Sequence, residues 1–344
     1  MMKALVLEKY MHLGYKEVNK PEPGDNEVLV KIQAVGICGS DVHGMDGSTG
    51  RRIPPIIMGH EASGIIEQTG EAVTQWKKGD RVTFDSTIYK QDDWFTRQGM
   101  YNLSDDRMVL GVSTPEFKKD GAFAEYVTLP QHILYAIPEN VSFTEAALTE
   151  PAAVALHAIY LSGLQEKDTV LVIGAGMVGM FVIQLLKIKG CKNIIAIDTE
   201  PGKLELAKQS GADHVFTPGD PALMDTINDL TANRGADIAI EVVGIAVTIN
   251  KAIDLLRKGG TLVLVGNLAP AVELPLQKIV TRQLKLQGSC AINGEYPEIL
   301  QLISEGKLNV KSILSAEAPL AEGAEWFNRL YNKEKGLMKV ILKP

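Results

Sequence analysis

Gly174-Ala175-Gly176-Met177-Val178-Gly179 follows the apolar run Thr169–Ile173 and opens a helical pattern over 177–189. A Gly-x-Gly-x-x-Gly run alone is a weak signal, because glycine-rich turns are common. A buried strand before it and a helix after it are the context that gives it meaning. Gly174 permits the tight turn, Gly176 lets a pyrophosphate approach the backbone, and Gly179 lets the helix pack closely on the strand. The helix start, with Met177 and Val178 in its first turn, then offers free N–H groups and a positive dipole end to phosphates. The next strand, Asn193–Ile197, leads to Asp198, near the offset of about 20 residues expected for an acid that binds an adenosine ribose. A carboxylate there accepts from both ribose hydroxyls and repels a 2′-phosphate, so NAD is expected over NADP. Lys203, in a predicted helix over 201–210, is either a further cofactor contact or a solvated charge.

Working outward, apolar strands are predicted over 236–243, 261–265 and 284–287. A helix over 246–257 should stop at the C-cap signal Lys258-Gly259-Gly260. Continuous Val/Ile/Leu runs mean strands covered on both faces, the parallel sheet of a doubly wound domain. Val265, Gly266 and Asn267, at the end of one such strand, are expected to contact the nicotinamide half. Upstream, a helix over 152–163 follows a β-rich stretch that reaches about Pro151. Short runs over 4–7, 27–34, 62–69, 81–84 and 124–129 alternate there with Pro, Gly and Asp turns, which suggests a barrel-like or folded sheet. From about 291 the character is mixed again, ending in a strand over 338–342. The simplest account is an α/β nucleotide-binding domain, 153–290, inserted into a β-rich domain made of 1–152 and 291–344.

The 344 residues are 45% hydrophobic and 22% charged, with a net charge of −7. This is the balance of a globular protein with room for two cores, and it does not recommend a nucleic-acid partner. No apolar run reaches membrane-spanning length, and Met1–Leu7 is too short for a signal peptide. Three scattered cysteines, Cys38, Cys191 and Cys290, argue against a disulfide framework and for a cytosolic, reducing setting.

Cys38 lies in the glycine-rich run Gly36-Ile37-Cys38-Gly39-Ser40-Asp41-Val42-His43, and His60 and Glu61 lie in Gly59-His60-Glu61. Thiolate, imidazole and carboxylate are good zinc ligands, and three ligands plus an open position define a catalytic site. Glu150, before Pro151 at the domain junction, is a fourth candidate. Singly, each has a plainer explanation: a small buried Cys, a hydrogen-bonded core His, a surface Glu, and a helix N-cap at Glu150.

Cys38-Gly39-Ser40-Asp41-x-His43, Gly59-His60-Glu61-x-x-Gly64 continuing to Gly70 and Val73, Glu150-Pro151 and Gly174–Gly179, in that order, resemble the zinc-dependent medium-chain dehydrogenases. The likeness spans nearly the whole chain, and Glu150-Pro151 places it with the sorbitol (polyol) and butanediol dehydrogenase branch. It implies a GroES-like catalytic domain around an inserted Rossmann domain, one catalytic zinc per chain, NAD, and a homodimer or homotetramer. It also implies Cys38, His60 and either Glu61 or Glu150 on the metal, the other acid holding its water. Ser40 stands where the family's relay hydroxyl does, with His43 to pass the proton on through the cofactor ribose.

Many relatives hold a structural zinc on four cysteines, whose positions here carry Lys90, Asp93, Thr96 and Ser104. No thiolate site can form from these. The resemblance implies oxidation of a secondary alcohol, a polyol or vicinal diol, to a ketone. Gly44, Ala291 and Ile292 replace residues associated with sugar-alcohol contacts and argue against sorbitol itself. Alternatives are a butanediol-type or threonine-type dehydrogenase and a phosphorylated-polyol dehydrogenase, the last disfavoured by the lack of clustered Arg. Outside catalysis, the alternative is an NAD-binding protein with a relict metal site.

Overall fold

A computed structural model describes residues 1–344, which fall into two compact units. The first comprises Met1–Glu150, Ile292–Gly306 and Ile313–Pro344; the second comprises Pro151–Ala291 and Lys307–Ser312. The short segment Lys307–Ser312 therefore groups with the second unit, whereas the sequence places it with the first.

The first unit is organised around Glu27–Gly36, whose apolar residues are buried almost without interruption. It pairs antiparallel with Glu61–Thr69, Tyr126–Pro130 and the last strand, Lys339–Lys343. Arg81–Phe84 and Leu134–Ala136 continue the sheet on one side and Leu314–Pro319 on the other, giving seven strands. A three-stranded sheet of His12–Val18, Met2–Lys9 and Ile56–Ile57 joins it around a common core. Leu5, Leu7, Ile32, Phe84, Phe123, Phe327 and Leu342 are buried there, each contributing roughly 1.5–3 kcal/mol by leaving water. Register decides what this core presents: Gly36 lies opposite both Glu61 and Ile341.

Residues 87–106 are held by hydrogen bonds centred on Asp93. Its carboxylate caps the helix Trp94–Arg97 through Thr96 N at 2.7 Å, accepts Asp105 N at 2.7 Å, and binds Ser104 Oγ. Ser104 Oγ also accepts Lys90 N at 3.1 Å, and Thr96 Oγ1 donates to Lys90 O at 2.7 Å. The four positions read as substitutes for cysteines thus contact one another directly.

The second unit has a six-stranded parallel sheet in the order His214–Phe216, Asn193–Ile197, Thr169–Ile173, Ala236–Glu241, Leu256–Leu264, Lys285–Gly288. The order reverses between Thr169–Ile173 and Ala236–Glu241, and the crevice at the carboxyl ends of such strands is where doubly wound domains take ligands. All five residues of Thr169–Ile173 are buried, as a strand covered on both faces requires.

Several boundaries differ from the sequence reading. The helix expected over 246–257 is Ala246–Leu255, and Lys258-Gly259-Gly260 lies inside the strand Leu256–Leu264 instead of capping the helix. The helix expected from Ala152 begins at Thr149, behind the Ser142–Glu145 capping box of Phe143–Ala147. Glu150 is accordingly in a helical first turn, where a carboxylate favours the dipole, and does not occupy an N-cap. No helix is long and apolar enough to cross a membrane.

Candidate functional site

Cys38 is not in an open turn; it holds the N-cap position of the short helix Gly39–Gly44, just beyond the central strand. Glu61 starts the neighbouring strand opposite Gly36, with His60 immediately before it. This register brings the ligand atoms of Cys38, His60 and Glu61 within 4.8 Å of one another. Glu61 Oε1 is buried and has no hydrogen-bond partner, while Oε2 pairs with the ammonium of Lys339. Thiol, imidazole and a free carboxylate oxygen at this spacing are a donor set that fits zinc.

Behind His60 stands Asp41, fully buried, with Oδ2 at 3.4 Å from Nδ1: close enough for an ion pair, outside good hydrogen-bond geometry. Burial opposes the Asp41 charge, but His60 and Arg52 outweigh it and hold the carboxyl well below the usual range. For His60, burial likewise opposes charge, and Asp41 with Cys38 raises it well above ordinary histidine values in the metal-free site. A carboxylate behind a ligating imidazole is the usual means of orienting it.

Glu150 stands outside the three-residue set but beside it. It accepts from Ser86 Oγ at 3.3 Å. Burial, with Glu61 and Asp85 adding to it against the pull of His60, pushes its carboxyl up to about 7. Asp85 is raised to about 6 by burial, although Thr87 N and Tyr101 Oη donate to it at 2.8 and 2.7 Å. Ser40 Oγ donates to Cys38 Sγ at 3.3 Å. His43, half-buried, lies in the last turn of the same helix, and its carbonyl accepts Ser48 Oγ at 3.0 Å.

In the second unit, a Cβ at Gly174 would meet Val243 Cγ2 at 2.7 Å, and one at Gly179 would run into the Gly174 carbonyl. At Gly176 a Cβ would meet nothing within 4 Å, so packing inside the protein does not require glycine there; a close ligand would. Met177 and Val178 open the helix Met177–Ile188 as expected. Asp198 accepts Ala175 N at 2.7 Å and Glu200 N at 2.9 Å, which ties it to the glycine turn. Lys203 pairs with Glu200 at 2.6 Å. Val265 and Gly266 donate to Glu241 O at 2.9 and 3.1 Å, and with Asn267 they directly follow Leu256–Leu264. These residues gather at the carboxyl ends of the parallel strands.

Sequence reasoning missed Lys339, Arg52 and the Asp85–Ser86 pair. Lys339 did leave a trace, a lone cation in the apolar run Leu337–Leu342, which a buried strand tolerates only with a partner. Nothing distinguishes buried Arg52 from exposed Arg51 beside it.

Residues 24–139 match the alcohol dehydrogenase GroES-like domain, and residues 177–305 match the zinc-binding dehydrogenase family. The chain is 32% identical to sorbitol dehydrogenase of Bacillus subtilis (strain 168), over 100% of this chain and 97% of that one. It is 32% identical to D-xylulose reductase A of Aspergillus oryzae, over 98% and 96%. The crystal structure of 2R,3R-butanediol dehydrogenase from Bacillus subtilis superposes with a TM-score of 0.89, at 29% identity and full coverage of both chains.

Proposed function

The chain belongs to the zinc-dependent medium-chain dehydrogenases, in their polyol dehydrogenase branch, and from that premise we propose how its own residues carry out the reaction. It is a zinc- and NAD-dependent dehydrogenase that oxidises a secondary hydroxyl of a polyol or vicinal diol to a ketone. The observation that carries the residue assignment is the unpaired, buried Glu61 Oε1 beside Cys38 and His60.

Cys38, His60 and Glu61 would hold the metal. Glu150, whose carboxyl is pushed up to about 7 by burial in the metal-free site, would hold the metal's water or exchange with Glu61. When bound, zinc supplies a Lewis acid that lowers the pKa of a hydroxyl, and NAD supplies the hydride acceptor. Ser40 Oγ receives the alcohol proton, and His43 passes it outward. The carbinol carbon gives up its hydride, leaving the ketone. Gly176, Met177 and Val178 receive the pyrophosphate, Gly174 and Gly179 shape the turn, and Val265, Gly266 and Asn267 line the nicotinamide half.

The test of this reading is zinc content per chain together with NADH formation across a panel of polyols and diols. One zinc and turnover of secondary alcohols support it. No zinc after reconstitution and no turnover leave an NAD-binding protein with a relict site.

Asp198 selects the cofactor. Its oxygens already accept two backbone N–H groups, and their remaining lone pairs suit ribose hydroxyls. Lys203, expected as a further cofactor contact or a solvated charge, forms an exposed pair with Glu200 at 2.6 Å. Asp198→Ala should lower kcat/KM for NAD by about 10- to 100-fold, the worth of one charged hydrogen bond, and leave that for NADP unchanged or higher. Equal losses with both cofactors would remove Asp198 from this role.

The assembly we propose is a homodimer or homotetramer. Lys285–Gly288 is the terminal strand of its sheet, and Leu276 and Val280, on the helix preceding it, are 70% and 67% exposed. A second copy pairing edge to edge would cover the strand and these side chains together. Light scattering should give twice the 37.4 kDa chain mass or a multiple of that; a monomer at micromolar concentration would refute it. A cytosolic setting belongs to the same proposal and is supported by the sparse cysteine content, three in 344 residues.

A further inference from the structure

Arg52 is 3% exposed, although its chain neighbour Arg51 is exposed. Its backbone is fixed by a bridge to Ser113, with Ile53 N donating to Ser113 O at 3.1 Å and Ser113 N to Arg51 O at 3.3 Å. The guanidinium divides its donors. Nε and Nη2 reach Asp41 Oδ1 at 3.1 and 2.8 Å, Nη1 reaches Arg51 O at 3.0 Å, and Nη2 also lies 3.4 Å from Ser40 Oγ.

The Nε–Nη2 edge serves two residues that contact the metal-binding set, Asp41 behind His60 and Ser40 beside Cys38. Because the fork uses only Oδ1 of Asp41, Oδ2 is left to face His60 Nδ1 at 3.4 Å. The same Nη2 also approaches Ser40 Oγ at 3.4 Å, while the Ser40 proton points to Cys38 Sγ at 3.3 Å. A hydroxyl that accepts from a cation becomes a better donor, which suits a relay group. Lysine, a shorter point charge with no fork, could not reproduce the paired Nε and Nη2 contact to Asp41 Oδ1 while also reaching Ser40 Oγ.

The stem of Arg52 needs room, and residue 44 provides it. A Cβ at Gly44 would lie inside van der Waals contact with Arg52 Cγ and 3.3 Å from its Cβ. Since Cγ belongs to the stem of a buried, multiply bonded side chain, the clash could not be relieved by a swing of its far end.

We infer that Arg52 is a positioning residue for this reaction: one guanidinium orients the His60 imidazole through Asp41 and the Ser40 hydroxyl directly, and glycine at 44 makes room for it. The inference rests on the zinc reading of Cys38, His60 and Glu61. Outer-shell partners of this kind are worth about 10- to 100-fold in metal retention or activity.

The test compares R52M, R52K and G44A with wild type in two readouts: the rate at which zinc passes to excess chelator, and kcat and KM measured separately. NAD binding and far-UV circular dichroism establish that each variant is folded. R52M should release zinc about tenfold or more faster and lose kcat, with KM for NAD unchanged. R52K should recover zinc retention by neutralising Asp41 but not kcat, because Ser40 is out of its reach. G44A, which keeps the arginine and displaces its stem, should resemble R52M. If R52M does not fold, R52K and G44A carry the comparison. Wild-type zinc release and kcat in folded R52M, or in both R52K and G44A, would overturn the inference and reduce the Arg52–Asp41 pair to a brace for the loop. Wild-type protein that takes up no zinc would instead overturn the metal reading beneath it.

Discussion

Cys38→Ser should yield protein that folds, binds NAD, retains no zinc through dialysis, and oxidises alcohols with kcat/KM reduced by at least about a thousandfold. Two facts set the size of this effect. A serine hydroxyl is a poor zinc ligand, so the site loses its only sulfur donor and keeps an imidazole and a carboxylate that Lys339 already shares. Lewis-acid stabilisation is worth several kcal/mol, and each ~1.4 kcal/mol is tenfold in rate. The fold should survive, because Cys38 contributes an N-cap to a six-residue helix without a side-chain capping bond. Elemental analysis and NADH absorbance on one sample decide the matter. A variant with one zinc per chain and near-normal turnover would show that Cys38 is not a ligand.

The second large effect is on stability. Lys339→Met should destabilise the metal-free protein by about 3–5 kcal/mol, the usual consequence of leaving a buried charge without its partner. Lys339 and Glu61 are both fully buried, and Lys339 Nζ also donates to Ile37 O at 2.9 Å. With the ammonium gone, the Glu61 carboxylate has no nearby cation in the apo site except His60. Zinc would replace that missing charge, so the loss should be smaller when the metal is bound. The double variant E61Q/K339M, which removes both charges, should recover much of the stability. Urea denaturation with and without zinc gives all three comparisons. If K339M were as stable as wild type without metal, the pair would be incidental to the fold.

The two sites were legible in the sequence to different degrees, for reasons of chain distance. The nucleotide turn is local: six consecutive residues between a strand and a helix carry their own geometry, and Asp198 follows at a fixed interval. Cys38, His60 and Glu61 were legible as residue types and as a family pattern, but periodicity could not place them in one site. That depends on the pairing of Gly36 with Glu61 and of Gly36 with Ile341, a long-range register that no local propensity encodes. The same register delivers Lys339 to Glu61 across 278 positions. The early start of the helix at Thr149 was hidden because Pro151 suits a first turn and reads equally well as a break before one. At 258–260 the paired glycines do mark a break, with Gly259 in the left-handed region and the ladder shifting register there, but the break is a bulge in the strand and not a helix cap.

The lobe built on Asp93 separates two dependencies that four thiolates would have merged. Its cohesion comes from a carboxylate, two hydroxyls and backbone amides, none of which an oxidant attacks or a chelator strips. In a cell short of zinc or under peroxide stress, such a protein would lose its chemistry at Cys38 while this lobe stayed folded. Zinc loss, or oxidation of Cys38 no further than the sulfenic or disulfide level, would then be reversed by metal resupply and thiol reduction, with no need for refolding.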